Sequence, residues 1–185
     1  STRGTILVDR TGLWKGKPFK ALVSPKNSMK GRNNNGRITS SNRAGGHKKM
    51  YRHIDFYRKK FDMPAKVERI EYDPNRSCYI MLVKFEDNTF AYYLAPQKIS
   101  VGDKIENGSK KEIKIGNCMP LQDIPVGVNI HNVEIQPGAG GKLARSAGTS
   151  VTISGVDGNY SLIKLTSGEV RKIDSRSLAT IGVLS

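Results

Sequence analysis

Short apolar runs separated by two-residue turns are the feature of this sequence that most limits its fold. Turn pairs of Asp, Asn, Ser and Gly join antiparallel strands into hairpins, and repeated short hairpin strands favour small barrels over a parallel sheet. The sequence therefore predicts an all-β fold with almost no helix. The turn pairs are Asp87-Asn88, Asp157-Gly158 and Ser167-Gly168, and the runs beside them are residues 78–86, 89–96, 149–155, 159–165 and 169–173.

The other apolar runs divide the strands into two blocks. Residues 65–72 alternate between apolar and polar side chains, with one slip of register. A second block begins near residue 119. The sequence therefore predicts two small β-barrels in tandem, formed by residues 61–120 and 121–185. The further predicted strands are residues 98–105, 111–115 and 128–135.

The positive charge is concentrated in residues 1–60. This segment holds 16 Lys and Arg against the acids Asp9 and Asp55, whereas residues 61–185 are almost neutral and the whole chain carries +15. Self-repulsion of this size destabilises a compact state unless a polyanion neutralises it. Residues 1–60 lack the broad apolar face of a membrane-surface helix, and the chain has no run of about 18 apolar residues. We predict an extended basic arm that binds nucleic acid rather than a membrane or an acidic protein.

Little in the sequence predicts catalysis or a metal site. His47, His53 and His131 have no motif that links them to a nucleophile or a carboxylate pair, and we expect His131 to be structural. Cys78 and Cys118 lack the spacing of a zinc site and are expected to pack as small apolar residues. We therefore expect no enzyme activity, no small-molecule substrate and no cofactor.

The arm carries the residue types that contact phosphates and bases. Residues 31–49 contain no acid; their cations can neutralise phosphates, and their asparagines can donate and accept hydrogen bonds. Tyr51, Phe56 and Tyr57 alternate with cations, so bases could stack on these rings, although the rings could instead anchor the arm to the first barrel. The candidates in the arm are Arg32, Asn33, Asn34, Asn35, Arg37, Arg43, His47, Lys48, Lys49, Arg52, Arg58 and Lys60.

Further candidates for nucleic-acid binding lie outside the arm. Residues 137–148 are rich in glycine and contain Lys142 and Arg145 but no acid, so their backbone can approach a phosphate chain closely. Arg76 belongs to a turn at residues 72–77, on the rim of the first barrel, where oligonucleotide-binding barrels often contact nucleic acid. A flexible loop and a solvated surface arginine are the alternatives at these positions.

Several segments together resemble the universal large-subunit ribosomal protein two family, in its bacterial or organellar type. The segments include "GRNNNGRIT" and "PGAGGKLARSAGT" and are residues 15–23, 31–39, 45–58, 64–77, 92–96, 124–134 and 137–149. The resemblance implies an oligonucleotide-binding-fold barrel followed by a Src-homology-three-like barrel. It also implies a structural constituent of the large ribosomal subunit that binds large-subunit rRNA, contacts neighbouring ribosomal proteins and supports assembly and the peptidyl-transferase region. Basic residues that bind RNA in the family match Arg58, Lys60, Arg76 and Arg145.

The chain departs from the family at its C-terminal end, because it stops at residue 185 without the family's basic, glycine-rich tail. We therefore expect the N-terminal piece of a split organellar protein, with a separate chain supplying the tail. The expected location is a ribosome in the mitochondrial matrix, with the bacterial cytoplasm or a plastid as alternatives. Mg²⁺ is expected only as part of the rRNA environment. The alternative function is a transient single-stranded nucleic-acid chaperone or a translation-factor-like binding module.

Overall fold

Strands account for almost all the regular structure in the computed structural model, which describes residues 10–26, 30–43 and 47–185. Within these ranges, the helical segments are the short 3₁₀ helices Lys20–Leu22 and Leu121–Asp123. The prediction of an all-β fold with almost no helix is confirmed. The strands are β1 (Val23–Pro25), β2 (Met50–Arg52), β3 (Ala65–Glu71), β4 (Ile80–Phe85), β5 (Phe90–Leu94), β6 (Lys104–Ile105), β7 (Cys118–Pro120), β8 (Asn129–His131), β9 (Val133–Glu134), β10 (Gly141–Leu143), β11 (Val151–Asp157), β12 (Tyr160–Lys164), β13 (Val170–Asp174) and β14 (Leu178–Ile181).

The first barrel is a four-stranded antiparallel sheet with the order β5-β4-β3-β6. Its β4–β5 hairpin turns at Asp87-Asn88, as predicted, and Asn88 has a φ of 60° that asparagine tolerates. The register of β3 against β4 shifts between Val67 and Arg69, which is the slip predicted from the alternation of this segment. The core of this barrel includes Ala65, Val67, Met81, Val83, Phe85, Tyr93, Ala95, Ile99 and Ile105.

The second barrel is a six-stranded sheet with the order β13-β12-β11-β8-β14-β7. Its two C-terminal hairpins turn at the predicted pairs, where Gly158 and Gly168 have φ values of 57° and 88°. β7 pairs with β14, although the sequence assigns residues 118–120 to the first barrel. Together the two sheets form the predicted oligonucleotide-binding-fold barrel followed by a Src-homology-three-like barrel. The second core includes Met119, Leu121, Ile130, Val151, Ile153, Ile163, Ile173 and Ile181.

No strand forms at residues 111–115, so this prediction is wrong. Lys111 instead forms ion pairs with Asp62 at 2.9 Å and with Glu106 at 3.3 Å. Ile113 remains 46% exposed. The segment is therefore a loop, in which Ile113 is exposed and Ile115 is partly buried.

Part of the predicted arm packs against the first barrel. The backbone N–H of Phe19 donates to Tyr92 Oη at 2.8 Å, and the Phe19 ring centre lies 4.8 Å from that of Phe90. Leu22 and Ile54 pack beside Phe19 on buried side chains of β4 and β5, and β1 pairs antiparallel with β2. These segments therefore form an outer layer of the first barrel. Predictions for residues 1–9, 27–29 and 44–46 of the arm lie outside the described residues.

Candidate nucleic-acid interface

The turn between β3 and β4 holds Arg76 against a buried carboxylate. Asp73 is fully buried and accepts hydrogen bonds from the backbone N–H of Asn75 at 3.0 Å and from Arg76 Nε at 2.7 Å. The bond from Asn75 is a local contact between side chain and backbone of the kind that stabilises turns. The position of the Arg76 guanidinium is therefore fixed by the fold itself.

Arg145 reaches the same place from the second barrel. It follows β10, where Ala144 has a φ of 51°, and its Nη1 donates to Gly141 O at 3.1 Å. Its guanidinium carbon lies 3.9 Å from the centre of the Phe56 ring, and that of Arg76 lies 5.8 Å from the same centre. Because the face of an aromatic ring attracts cations, Phe56 serves both arginines as a shared platform.

Hydrogen bonds tie the two barrels together beside this platform. The backbone N–H of Ala147 donates to Ser77 Oγ at 3.1 Å, and Cys78 Sγ donates to Arg145 O at 3.4 Å. Both bonds join the glycine-rich segment 137–148 to the end of the β3–β4 turn. The segment therefore has a defined position on the first barrel, which does not fit the alternative of a flexible loop.

Arg52 completes a group that we call the arginine cluster, which consists of Arg52, Arg76 and Arg145. Arg52 Nη1 lies 3.7 Å from Asp73 Oδ1. Asp73 thus contacts two of the three guanidinium groups, and the cluster keeps an excess of positive charge. Burial and the neighbouring charge of Arg76 lower the pKa of Arg145. A phosphate between the arginines would offset this repulsion, and its oxygens match the planar donor fork of arginine.

Lys26 and Asn75 belong to the same surface, although the sequence does not single them out. Lys26 Nζ donates to Asn75 Oδ1 at 3.2 Å, and Asn75 Nδ2 donates to Met50 O at 2.7 Å. These bonds connect the β1–β2 pair with the turn that holds Arg76. Since the partners lie far apart in the sequence, no local pattern signals the contacts.

Residues 31–39 form a small hairpin rather than an irregular segment. Arg32 and Ile38 form an antiparallel bridge, and Asn33 Oδ1 accepts hydrogen bonds from the backbone N–H groups of Asn35 at 3.0 Å and Arg37 at 2.9 Å. The side chain of Asn33 therefore stabilises the turn, which limits its availability to RNA. Arg32 and Arg37 therefore lie exposed on a loop of defined conformation.

Most of the other predicted residues are exposed and lie outside the arginine cluster. Lys60 is an exception, because its Nζ donates to Asp87 at 2.6 Å and to Thr89 and lies 4.4 Å from the centre of the Phe85 ring. The contact with Lys60 lowers the pKa of Asp87 to about 2. Lys60 thus already has a carboxylate partner. The exposed candidates are Arg32, Asn34, Asn35, Arg37, Arg43, His47, Lys48, Lys49 and Lys142.

Arg58 lies between the two barrels, where RNA cannot reach its guanidinium. The residue is 2% exposed, and it donates to Thr180 Oγ1 at 3.1 Å and to Gly116 O at 2.9 Å. Its guanidinium carbon also lies 4.2 Å from the centre of the Tyr93 ring. The predicted RNA contact at Arg58 does not fit this buried position, which instead makes Arg58 a link between the barrels.

The described ranges contain no group of three or more His, Cys, Asp and Glu side chains placed to hold a metal ion. No helix in the same part of the chain has the length and hydropathy needed to cross a bilayer. Cys78 and Cys118 are buried thiols, and burial raises the pKa of both.

The fold and the arginine cluster define a class of protein, a tandem-barrel all-β protein with a cationic surface suited to a polyanion. Residues 19–107 match the family model described as Ribosomal Proteins L2, RNA binding N-terminal domain. Residues 114–185 match the model described as Ribosomal Proteins L2, C-terminal domain. The chain belongs to the ribosomal L2 protein family.

Similar proteins from bacteria carry the name large ribosomal subunit protein uL2. The chain is 83% identical over 186 residues to the protein of Pelagibacter ubique, covering 100% of this chain and 66% of that protein. It is 56% identical over 185 residues to the proteins of Granulibacter bethesdensis and Rickettsia canadensis, covering 100% of this chain and 67% and 68% of theirs. The chain thus spans about two thirds of the length of these relatives. They give no support to a mitochondrial origin or to a separate chain that supplies the tail.

Proposed function

We propose that the chain is a structural constituent of the large subunit of a bacterial ribosome and binds large-subunit rRNA through the arginine cluster. Family membership and the names of the relatives support the ribosomal role. The observation that carries the RNA contact is the meeting of Arg76 and Arg145 on the ring of Phe56. Two barrels contribute to one cationic surface, so a phosphate bound there would contact both.

In this proposal the protein acts by position and charge. Arg76 and Arg145 are held by Asp73 and by Gly141 O, so little side-chain freedom is lost when a phosphate binds. The remaining donors of the guanidinium groups bind phosphate oxygens, and sequence-independent backbone contacts fix the protein on folded RNA. The proposal has three further parts. The protein supports subunit assembly and the peptidyl-transferase region, the RNA and not this chain carries out catalysis, and Mg²⁺ is supplied with the rRNA.

Replacing Arg145 with Ala tests the arginine cluster. We expect the variant to bind a large-subunit rRNA fragment about tenfold more weakly, because a charge-assisted contact is lost. The slope of log affinity against log salt concentration should fall by about 0.7 to 0.9 for each phosphate contact removed. Filter binding at several salt concentrations measures both quantities.

Arg171→Ala is the matched control, because it also removes one arginine but lies on β13, where Arg171 pairs with Glu169 at 2.9 Å. It should leave the affinity and the salt slope nearly unchanged. Equal behaviour of the Arg145 and Arg171 variants would refute the assignment of the arginine cluster.

A further inference from the structure

Residues 10–18 lie against the first barrel and enclose a cleft beside it. The backbone N–H of Trp14 donates to Ile70 O at 2.8 Å, and that of Leu13 donates to Arg10 O at 3.2 Å. The cleft has a volume of about 300 Å³. Its lining includes Arg10, Trp14, Lys15, Arg52, Glu71 and Tyr72.

The charges in this cleft favour an anion. Arg10 and Lys15 contribute two positive charges, and a third, that of Arg52, is shared with Asp73 at 3.7 Å. The negative group, Glu71, is already engaged, because its carboxylate accepts hydrogen bonds from Arg69 Nε at 2.6 Å and from Tyr92 Oη at 3.0 Å. An anionic group that enters the cleft therefore meets cations, while the carboxylate is held within the protein.

The aromatic rings of the cleft add a surface for a planar group. The Arg10 guanidinium carbon lies 4.4 Å from the centre of the Tyr72 ring, and that of Arg69 lies 4.8 Å from the Trp14 ring. The Trp14 indole also packs against the backbone of Gly16, where a Cβ would lie 2.6 Å from Trp14 Nε1. Trp14 is thus held in place, yet it remains 50% exposed.

We propose that this cleft binds one nucleotide of single-stranded RNA, with the phosphate at Arg10 and Lys15 and the base against the exposed part of Trp14. Cations beside aromatic rings are the combination that single-stranded RNA sites use. The cleft also adjoins the arginine cluster, because Arg52 lines the cleft and lies 3.7 Å from Asp73. RNA as the partner rests on the proposed function. The cleft shares Arg52 with the arginine cluster, but its other cations, Arg10 and Lys15, lie in residues 10–18, which precede the family match that begins at residue 19.

Trp14 is the single tryptophan of the chain, so its fluorescence reports on this cleft alone. We expect a hexaadenylate ribonucleotide to quench the fluorescence of the full chain saturably at low salt. The double variant Arg10→Gln/Lys15→Gln keeps Trp14 and should raise the apparent Kd by about tenfold. The double variant Lys114→Gln/Lys164→Gln removes the same charge from exposed positions outside the cleft and should stay within about twofold of the wild type.

The outcomes separate this proposal from the proposed function. Absence of saturable quenching, or equal Kd values for the two double variants, would overturn the nucleotide site. Equal quenching by hexaglutamate would overturn it in favour of an acidic protein segment. Arg145→Ala, tested with the same hexaadenylate, should leave the quenching in place while it weakens binding of the rRNA fragment. If Arg145→Ala fails to weaken that binding, the arginine cluster is refuted, whereas the cleft is judged by the fluorescence alone.

Discussion

His131 shows how burial fixes the state of a titratable residue in this fold. The residue is 1% exposed on β8, and its Nδ1 lies 2.9 Å from Gly182 O. Burial lowers its pKa to about 4, and the charge of Arg58 acts in the same direction. His131 is therefore neutral at pH 7, and its Nδ1–H donates to the carbonyl of Gly182. This position agrees with the structural role that the sequence predicts for it.

The depressed pKa of His131 predicts a loss of stability in mild acid. The unfolded chain, in which the pKa is near 6.5, takes up the proton before the folded chain does. The stabilisation is therefore complete above pH 6.5 and is lost as the pH falls to about 4. The full loss is about 3 kcal/mol. Urea unfolding between pH 7 and pH 4 measures it.

The variant His131→Gln should remove this part of the pH dependence, whatever its effect on stability at pH 7. His47→Gln, which changes an exposed histidine of the arm, should keep it. If His131→Gln loses stability with falling pH as steeply as the wild type does, titration of His131 is not the cause.

At the scale of single elements, the segment around Phe19 behaves as part of the first barrel. Its backbone N–H bonds to Tyr92 Oη, and Tyr92 Oη in turn donates to the buried carboxylate of Glu71. The ring of Phe19 packs on Phe90. The composition of this basic segment predicts a free arm. In the structure the segment instead donates a hydrogen bond to Tyr92 and covers apolar side chains of the first barrel.

Phe19→Ala should consequently lower the free energy of unfolding by about 2 kcal/mol, less than for a fully buried phenylalanine because Phe19 is half-buried. Lys17→Ala, two residues away and exposed, is the control and should change stability by less than about 0.5 kcal/mol. Chemical denaturation of both variants measures the difference. Equal stabilities would mean that the segment rests on the barrel without supporting it.

The hairpin of residues 31–39 is a second element whose structure the amino-acid composition does not predict. Its glycines, asparagines and cations predict an extended segment that only RNA would order. The structure instead places Asn33 as the acceptor for two backbone N–H groups and pairs Arg32 with Ile38. Asparagine bonds to nearby backbone in this way without any apolar contact, so hydrophobic periodicity does not detect such a turn.

At the scale of the whole molecule, adjacent residues predict the turns, whereas contacts between distant residues determine which arginines come together. The hairpins follow from neighbouring turn residues and were predictable. Arg76 and Arg145 could be selected from their own loops, but their meeting on Phe56 depends on how the two barrels dock. The sequence predicts an RNA contact at Arg58 because it lies within a basic run and matches an RNA-binding position of the family, and neither observation reveals that the side chain is buried. Only the folded chain surrounds it with the two barrels.

The position of Arg58 predicts that its shape matters more than its charge. Lysine keeps the charge, but it cannot bond Thr180 Oγ1 and Gly116 O through a planar fork while lying on the ring of Tyr93. We expect Arg58→Lys to lower the free energy of unfolding by about 3 kcal/mol, nearly as much as Arg58→Gln, because both variants leave buried acceptors without partners. Urea unfolding measures both changes.

A link between the barrels and a contact with RNA differ in what the lysine variant does. If Arg58 links the barrels, Arg58→Lys lowers the free energy of unfolding nearly as much as Arg58→Gln does, and neither variant removes a phosphate contact at Arg58 itself. If Arg58 instead contacts RNA, a lysine at this position still reaches the phosphate, so Arg58→Lys keeps wild-type stability and RNA affinity. Arg58→Gln would then flatten the salt slope by about 0.7 to 0.9 without destabilising the fold. Unchanged stability of both variants, with a flatter salt slope for Arg58→Gln, would place Arg58 on the RNA-binding surface and contradict its role between the barrels.

Arg171→Lys, at an exposed arginine, is the control and should change stability by less than about 0.5 kcal/mol.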